Sequence, residues 1–316
     1  MNKNEISFII PALNEERHIG RLIDSIEDNL NGRCAHEVIL IDNGSADRTV
    51  EIARSNGAHV INMPNCTISS LRNAGVKSSK GEVLVFLDAD VYLKKGWGEK
   101  IEPIIRWLKS NPFTITGSIY GVSDEAGWIE RCWFQPISLR QRVKYINGGH
   151  LIISRELFNK LGGFCEDLET GEDYEFCQRG RERYNIRIIN IPELRVVHAG
   201  YPKTIVEFFR RERWHGRGDW GSLRSIVLSK PALLSLAQAF VLIGSIIGAL
   251  VFGNLWFLLI YFILMPFLCL AASFHRLGWM ASRLPSCAFL YGVYFTARTM
   301  SFLDVIFGRP YKKRSE

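Results

Sequence analysis

Short apolar runs alternate with helical faces over residues 1–130. Ile6–Ile10 is an apolar run ended by Pro11. After it, Ile19, Leu22, Ile23, Ile26 and Leu30 recur at the spacing of one helix face. Val38–Ile41 is a second apolar run, ended by the turn-forming Asp42-Asn43-Gly44-Ser45. Ala46–Ser55 reads as a helix, Val60-Ile61 as part of a third strand, Ile68–Val76 as another helix and Val83–Leu87 as a fourth strand. This alternation predicts an α/β fold, a parallel sheet covered by helices. Ligands of such sheets bind beyond the carboxyl ends of the strands. The loops after Ile10, Ile41 and Leu87 are therefore expected to share one edge.

The C-terminal pattern is different. Between Pro231 and Phe274 there is no Asp, Glu, Lys, Arg or His. A bilayer core needs ~20 apolar residues per helix, so the run has room for two spans. We place them at about Ala232–Phe252 and Leu255–Phe274, with Gly253-Asn254 as the turn. A buried soluble hairpin would show a polar face, and this stretch shows almost none. Leu284–Phe307 is also apolar but contains Arg298 and Asp304, and either crosses the membrane or lies along it.

Charge sharpens this division. The net charge of +7 is uneven: residues 1–200 are slightly acidic, and the excess of Lys and Arg lies in residues 201–316. Arg210, Arg211, Arg213, Arg217, Arg224 and Lys230 precede the first span, Arg276 and Arg283 follow the second, and Arg309, Lys312, Lys313 and Arg314 end the chain. Basic flanks favour the cytoplasm. All three groups share that side only if 284–307 does not cross, which favours two spans plus an interfacial helix. No signal-peptide pattern precedes the first strand, so the front domain is expected in the cytosol. The seven cysteines are scattered without a C-x-x-C pair and read as reduced thiols. A slightly acidic front domain without a basic stripe argues against nucleic-acid binding.

Polar groups converge on the predicted sheet edge from three loops: Asn14 and Glu15, then Asp42, Asn43 and Asp47, then Asp88 and Asp90. Each has a local alternative, such as Asn14 capping a helix. No G-x-G-x-x-G follows the first strand and no G-x-x-x-x-G-K-[ST] occurs, which weighs against dinucleotide oxidoreductases and P-loop enzymes. Phe86-Leu87-Asp88-Ala89-Asp90 delivers two carboxylates at a strand end. Carboxylate oxygens suit Mg2+ or Mn2+, which usually also bind substrate phosphates. A diphosphate leaving group needs such positive charge.

At these residues the chain resembles the family 2 glycosyltransferases, which have the GT-A fold, a mixed and mainly parallel sheet with helices on both faces. The resemblance covers roughly residues 5–220. It rests on the runs Ile9 to Glu16 and Ile41 to Thr49, on Arg72-Asn73-Ala74-Gly75, and on Leu87-Asp88-Ala89-Asp90. It implies a nucleotide-sugar donor, a UDP- or GDP-sugar, and a divalent metal. By the same resemblance Pro11, Ala12, Asn14, Glu15, Asp42 and Asn43 hold the donor's nucleoside end. Arg72 lies near the donor, and Asp88, Ala89 and Asp90 frame the ribose and the metal-bound diphosphate. The family pattern has Asp where this chain has Asn43.

The resemblance continues through Gly162-Gly163-Phe164 to Leu168-Glu169-Thr170-Gly171-Glu172-Asp173. An acidic pair opening a helix after that turn supplies the catalytic base, which we assign to Asp173 beside Glu172. The local alternative is that both carboxylates only favour a helix N-terminus. His198, at the end of a strand pattern, is implied as the third metal ligand with Asp88 and Asp90. Gly149 and His150 are acceptor candidates. Arg210-Arg211-Glu212-Arg213-Trp214 is similar to the Q-x-x-R-W motif of processive polysaccharide synthases, with Arg in place of Gln, making Arg210, Arg213 and Trp214 candidates for acceptor or diphosphate contact. A basic helix on anionic headgroups is the alternative.

The sequence is thus read as a cytosolic GT-A domain over residues 1–229, with a nucleotide-binding half (1–130) and an acceptor half (131–229), followed by a membrane region (230–316). The expected activity is metal-dependent, inverting sugar transfer to a membrane-associated glycan precursor at the cytoplasmic face, as in cell-envelope polysaccharide biosynthesis. A polyprenyl-phosphate glycosyltransferase and a processive synthase are rival enzymes. Phosphate is already anionic near neutral pH and needs no base, so the acidic pair favours a hydroxyl acceptor. Two spans are few for a polymer channel. A silent nucleotide-sugar-binding protein would be expected to lack these carboxylates, and a nucleotidyltransferase to carry a Gly-rich basic loop.

Overall fold

The computed structural model describes residues 5–138, 143–168, 170–220, 227, 229–277 and 281–307. Glu169, Arg224 and the basic group Arg309, Lys312, Lys313 and Arg314 lie outside them. The chain divides into two compact units. The first contains residues 1–124 and 137–200, the second residues 125–136 and 201–314. The second unit thus begins before the expected boundary at 229 and draws in a short earlier segment.

The first unit holds β1 (Ile6–Ala12), α1 (Ile19–Leu30), β2 (His36–Asp42), α2 (Thr49–Ser55), β3 (His59–Asn62), α3 (Ile68–Ser78) and β4 (Val83–Leu87). A short β5 (Val91–Leu93), α4 (Trp97–Ser110) and β6 (Thr114–Gly117) follow. In the second unit lies α5 (Trp128–Trp133), and α6 (Gln135–Ser138) leads back to the first unit. The first unit closes with β7 (His150–Ser154), α7 (Arg155–Leu161), α8 (Glu172–Tyr184), β8 (Arg187–Asn190) and β9 (Val196–His198).

The main sheet has the order β3-β2-β1-β4-β7-β6-β8. β7 pairs antiparallel with both neighbours, and the other pairs are parallel. The sheet is therefore mixed and mainly parallel, as in the GT-A fold. β1 and β4 are buried along their whole length, which is why they read as continuous apolar runs rather than alternating ones. α1 buries the five apolar positions that defined its face. α2 starts later than its pattern suggested, because residues 46–48 turn ahead of it, with the Asp47 carboxylate accepting the Thr49 N–H at 3.0 Å. The parallel strands point their carboxyl ends the same way, so the loops after β1, β2 and β4 do share an edge. β5 and β9 form a separate antiparallel pair beside it, joining Val91 to His198.

In the second unit, α9 (Ile205–Gly216), α10 (Lys230–Phe252), α11 (Trp256–Leu277) and α12 (Leu284–Ile306) pack with α5. α10 and α11 are each long and apolar enough to cross a membrane. Gly253 closes α10 in the left-handed conformation at φ 60°, so the Gly-Asn turn falls where the sequence placed it. The two charges that made α12 ambiguous are both paired. Asp304, 3% exposed, accepts two bonds from Arg213 of α9, at 2.6 and 2.7 Å, and Arg298 lies 3.1 Å from Glu212. A Cβ on Gly216 would come within 2.2 Å of Ser301 Oγ, so glycine permits this close approach of α9 to α12.

Candidate active site

The first two loops are knitted together by their polar side chains. Asn14 holds a left-handed backbone, φ 56°, which asparagine tolerates better than most residues. Its N–H donates to Ser45 Oγ at 2.9 Å, and its side-chain oxygen accepts the Ala46 N–H at 2.8 Å. The Glu15 N–H donates to Thr49 Oγ1. Buried Asp42 accepts the N–H groups of Gly44 and Ser45. Asn43 makes a reciprocal pair with the backbone of one residue: its amide nitrogen donates to Cys66 O at 3.2 Å and its amide oxygen accepts the Cys66 N–H at 3.0 Å. Aspartate could accept but not donate, which gives a physical reason for the departure from the family pattern. Pro11, Ala12 and Ala89 are buried, so any donor contact from them falls to backbone.

Deeper in the edge, one guanidinium joins two acidic motifs. Arg72, 2% exposed, projects from α3, with Nη1 2.6 Å from Glu172 Oε1 and Nη2 3.0 Å from Asp88 Oδ1. Tyr120 donates to the other Asp88 oxygen at 2.6 Å. Burial, then the Asp88 charge, raises the Tyr120 pKa well above its usual value. Asp88 is thereby engaged within the protein through both oxygens, each of which keeps a further lone pair.

Asp90 is differently placed. Its Oδ2 lies 3.4 Å from His198 Nε2, brought there by the β5–β9 pair. Burial raises the Asp90 carboxyl pKa, and His198 pulls it back. A Cβ on Gly200 would sit 2.2 Å from Asp90 Oδ2, so glycine keeps this approach open. Among the described residues no group of three or more His, Cys, Asp or Glu side chains is arranged to hold a metal ion. The expected trio of Asp88, Asp90 and His198 is therefore present as an Asp90–His198 pair with Asp88 turned to Arg72. A carboxylate and an imidazole still fit Mg2+ or Mn2+ when substrate phosphates complete the coordination.

The acidic pair opens α8 as expected, and its two members differ. Glu172 is held by Arg72. Asp173, 9% exposed, accepts the Gly148 N–H at 3.1 Å and its neighbour Tyr174's N–H at 2.7 Å. Burial, followed by the Glu172 charge, pushes the Asp173 pKa up to about 6. Gly148 and Gly149 pass so close to Arg72, Tyr120 and Asp88 that a Cβ on either would collide with those side chains.

Two acceptor candidates are relocated. His150 is fully buried. Trp97 Nε1 donates to its Nε2 at 3.2 Å, and its Nδ1 lies 2.8 Å from Ser118 Oγ. Burial pushes its pKa down to about 3. It packs beneath the sheet and presents no free ring nitrogen to an acceptor. Arg213 is taken up by Asp304, while Arg210 and Trp214 remain exposed on α9 of the second unit. Tyr120 was missed by sequence reading because it follows β6 outside any motif. Asn73 stood inside the Arg72-Asn73-Ala74-Gly75 run but without a role; its side chain bonds both the N–H and C=O of Phe164 and also Glu166, holding the Gly-Gly-Phe turn against α3.

Residues 7–163 match the family model described as Glycosyl transferase family 2. Glycosyltransferase AglE of Haloferax volcanii is 26% identical over 201 residues, covering 56% of this chain and 61% of that protein. The 4,4'-diaponeurosporenoate glycosyltransferase of Staphylococcus haemolyticus is 38% identical over 239 residues, covering 64% and 59%. The chain thus spans less than two thirds of the length of either relative. The structure of mannosyltransferase PcManGT from Pyrobaculum calidifontis, in complex with GDP-Man and Mn2+, is similar with a TM-score of 0.56 at 17% identity, covering 98% of this chain and 89% of that one. At that identity the likeness speaks for the fold.

Proposed function

Because residues 7–163 place this chain in glycosyl transferase family 2, we propose that it transfers a sugar, with inversion, from a nucleotide-sugar donor to an acceptor hydroxyl. The observation that carries this reading is the split within the acidic pair. Glu172 is ion-paired with Arg72, whereas Asp173 is buried, has no ion-pair partner among the described residues, and has a pKa of about 6. A base poised just below neutral pH is ionised at pH 7 and still holds a proton well enough to accept one. As the acceptor oxygen bonds to the anomeric carbon, the bond from that carbon to the diphosphate breaks with its electron pair. Asp173 takes the hydroxyl proton. The Gly148 N–H keeps its carboxylate oriented. A phosphate acceptor would leave this base without a task.

Asp90 and His198 would hold a divalent cation, whose charge stabilises the departing diphosphate when it is bound. Asn14, Glu15, Asp42 and Asn43 shape the donor end of the edge, and Arg72 fixes Asp88. The donor class follows the PcManGT complex with GDP-Man, so GDP- and UDP-sugars are the first to try. The acceptor is a membrane-associated molecule and the enzyme a multi-pass membrane protein with its first unit in the cytoplasm. The two apolar helices and the basic residues beside them support this.

The test is nucleotide release by purified full-length protein from GDP- and UDP-sugars with Mg2+ or Mn2+, with and without membrane lipid extract. Lipid-stimulated release that Asp173→Asn abolishes supports the reading. No release with any donor or metal overturns it.

A further inference from the structure

Among the described residues of the first unit, the exposed large apolar side chains are Phe113, Tyr145 and Tyr174. Phe113 is stacked on Tyr184 and covered by Lys160. The other two meet each other. Tyr145 is 39% exposed and Tyr174 48%, and their rings pack edge to face, 5.7 Å apart at 84°. Both flank the base. Tyr174 is the next residue after Asp173, and Tyr145 opens the segment whose Gly148 N–H holds the Asp173 carboxylate. Asp173 and Glu172 both act electrostatically on the Tyr145 hydroxyl.

An edge-to-face pair is held by ring quadrupoles, so the two rings form a fixed corner rather than a flat patch. Two partly exposed rings, each carrying a hydroxyl, suit a partner that is apolar on one side and polar around its edge. A pyranose ring has that character: C–H groups on its face and hydroxyls at its rim. A polyprenyl chain does not, since it needs a long continuous apolar groove, and among the described residues of the first unit the exposed large apolar side chains beside the base are these two rings.

We infer that Tyr145 and Tyr174 form a stacking platform for a sugar ring of the acceptor, setting its hydroxyl against Asp173. This rests on Asp173 being the base. It adds that the acceptor moiety at the reaction centre is itself a carbohydrate. Any lipid chain attached to that moiety is bound elsewhere.

Binding can be read apart from chemistry. Saturation-transfer NMR would use the full-length protein in lipid nanodiscs, with UDP or GDP and Mg2+. The probes are the methyl pyranosides of glucose, galactose, mannose and N-acetylglucosamine, with farnesyl phosphate as the competing probe. We expect saturation of the ring C–H protons of at least one glycoside. Its affinity should fall about tenfold in Tyr145→Ala and Tyr174→Ala and be largely kept in Tyr174→Phe. Both tyrosines are exposed, and an unchanged melting temperature confirms that the variants fold. Asp173→Asn should keep glycoside binding. Loss of turnover in that variant tests the base, whereas loss of glycoside contact in the tyrosine variants tests the platform. No saturation of any glycoside, equal binding by the alanine variants, or saturation of farnesyl phosphate alone overturns the inference.

Discussion

Arg72 and Glu172 stand one hundred residues apart in the chain and 2.6 Å apart in the fold. The same guanidinium reaches Asp88, so a single buried cation ties Asp88 to the acidic pair that opens α8. Removing one partner of a buried ion pair leaves the other uncompensated and costs about 3–5 kcal/mol. Arg72→Met is therefore expected to lower the melting temperature sharply. Arg72→Met combined with Glu172→Gln should recover part of the loss, since one stranded charge is gone. Thermal unfolding of both single variants and the double checks the coupling, and additive losses would refute it.

A base with a pKa near 6 gives the rate an acid limb. kcat/KM with a hydroxyl acceptor should be flat above about pH 7 and fall roughly tenfold per pH unit well below 6. Asp173→Asn should lose transfer while binding the nucleotide as before. A steady-state pH profile beside nucleotide titration calorimetry reads both.

The same carboxylate should cost stability. Its folded pKa is raised from 3.8 to about 6, so the folded state favours the protonated form. That favourable contribution is complete below about pH 4 and is lost as pH rises through 6. A shift of about two units corresponds to roughly 3 kcal/mol as an upper bound. Asp173→Asn should thus melt higher than the parent protein at pH 8 and level with it at pH 4. A difference independent of pH would contradict the assignment.

Asn43→Asp restores the residue usual in the family and should nevertheless destabilise this protein. It sets a carboxylate against the Cys66 carbonyl that the amide now satisfies, at a cost of about 1–3 kcal/mol. A lower melting temperature is the expected signature, while the Cys66 N–H, which aspartate can still accept, should stay protected from exchange.

Metal dependence should follow Asp90 and His198. Asp90→Asn and His198→Ala are each expected to weaken nucleotide binding in Mg2+ or Mn2+ by about tenfold or more. With chelator present, neither should differ much from the parent protein. Calorimetric titration of GDP and UDP under both conditions distinguishes a ligand from a residue that only shapes the pocket.

Much of this could be read from the sequence because it depended on local pattern. Buried parallel strands are unbroken apolar runs, and Gly253-Asn254 ends a helix wherever the chain around it is apolar. Asp173 could be located because the turn before it has a recognisable form. What the sequence hid was partnership at long range. Nothing near Asp88 indicates that Arg72 and Tyr120 will claim both its oxygens. His150 stands beside two glycines in a suggestive turn, yet strand alternation sends its ring into the interior toward Trp97. Asp304 looked like a flaw in an apolar helix until Arg213, ninety-one residues earlier, was found against it.

The two units interleave along the chain: residues 125–136 leave the first for the second before 137–200 return. Trp133, on that early loan, packs against Phe208, Tyr291 and Tyr294. No single cut therefore yields either unit whole. A truncation at 229 strands Gly216, Arg213 and Trp220 without the helix they pack on, and one at 200 leaves Trp133 bare. By the same token, one crossover between genes could not exchange the first unit while leaving the second whole. The two must be inherited, and expressed, together.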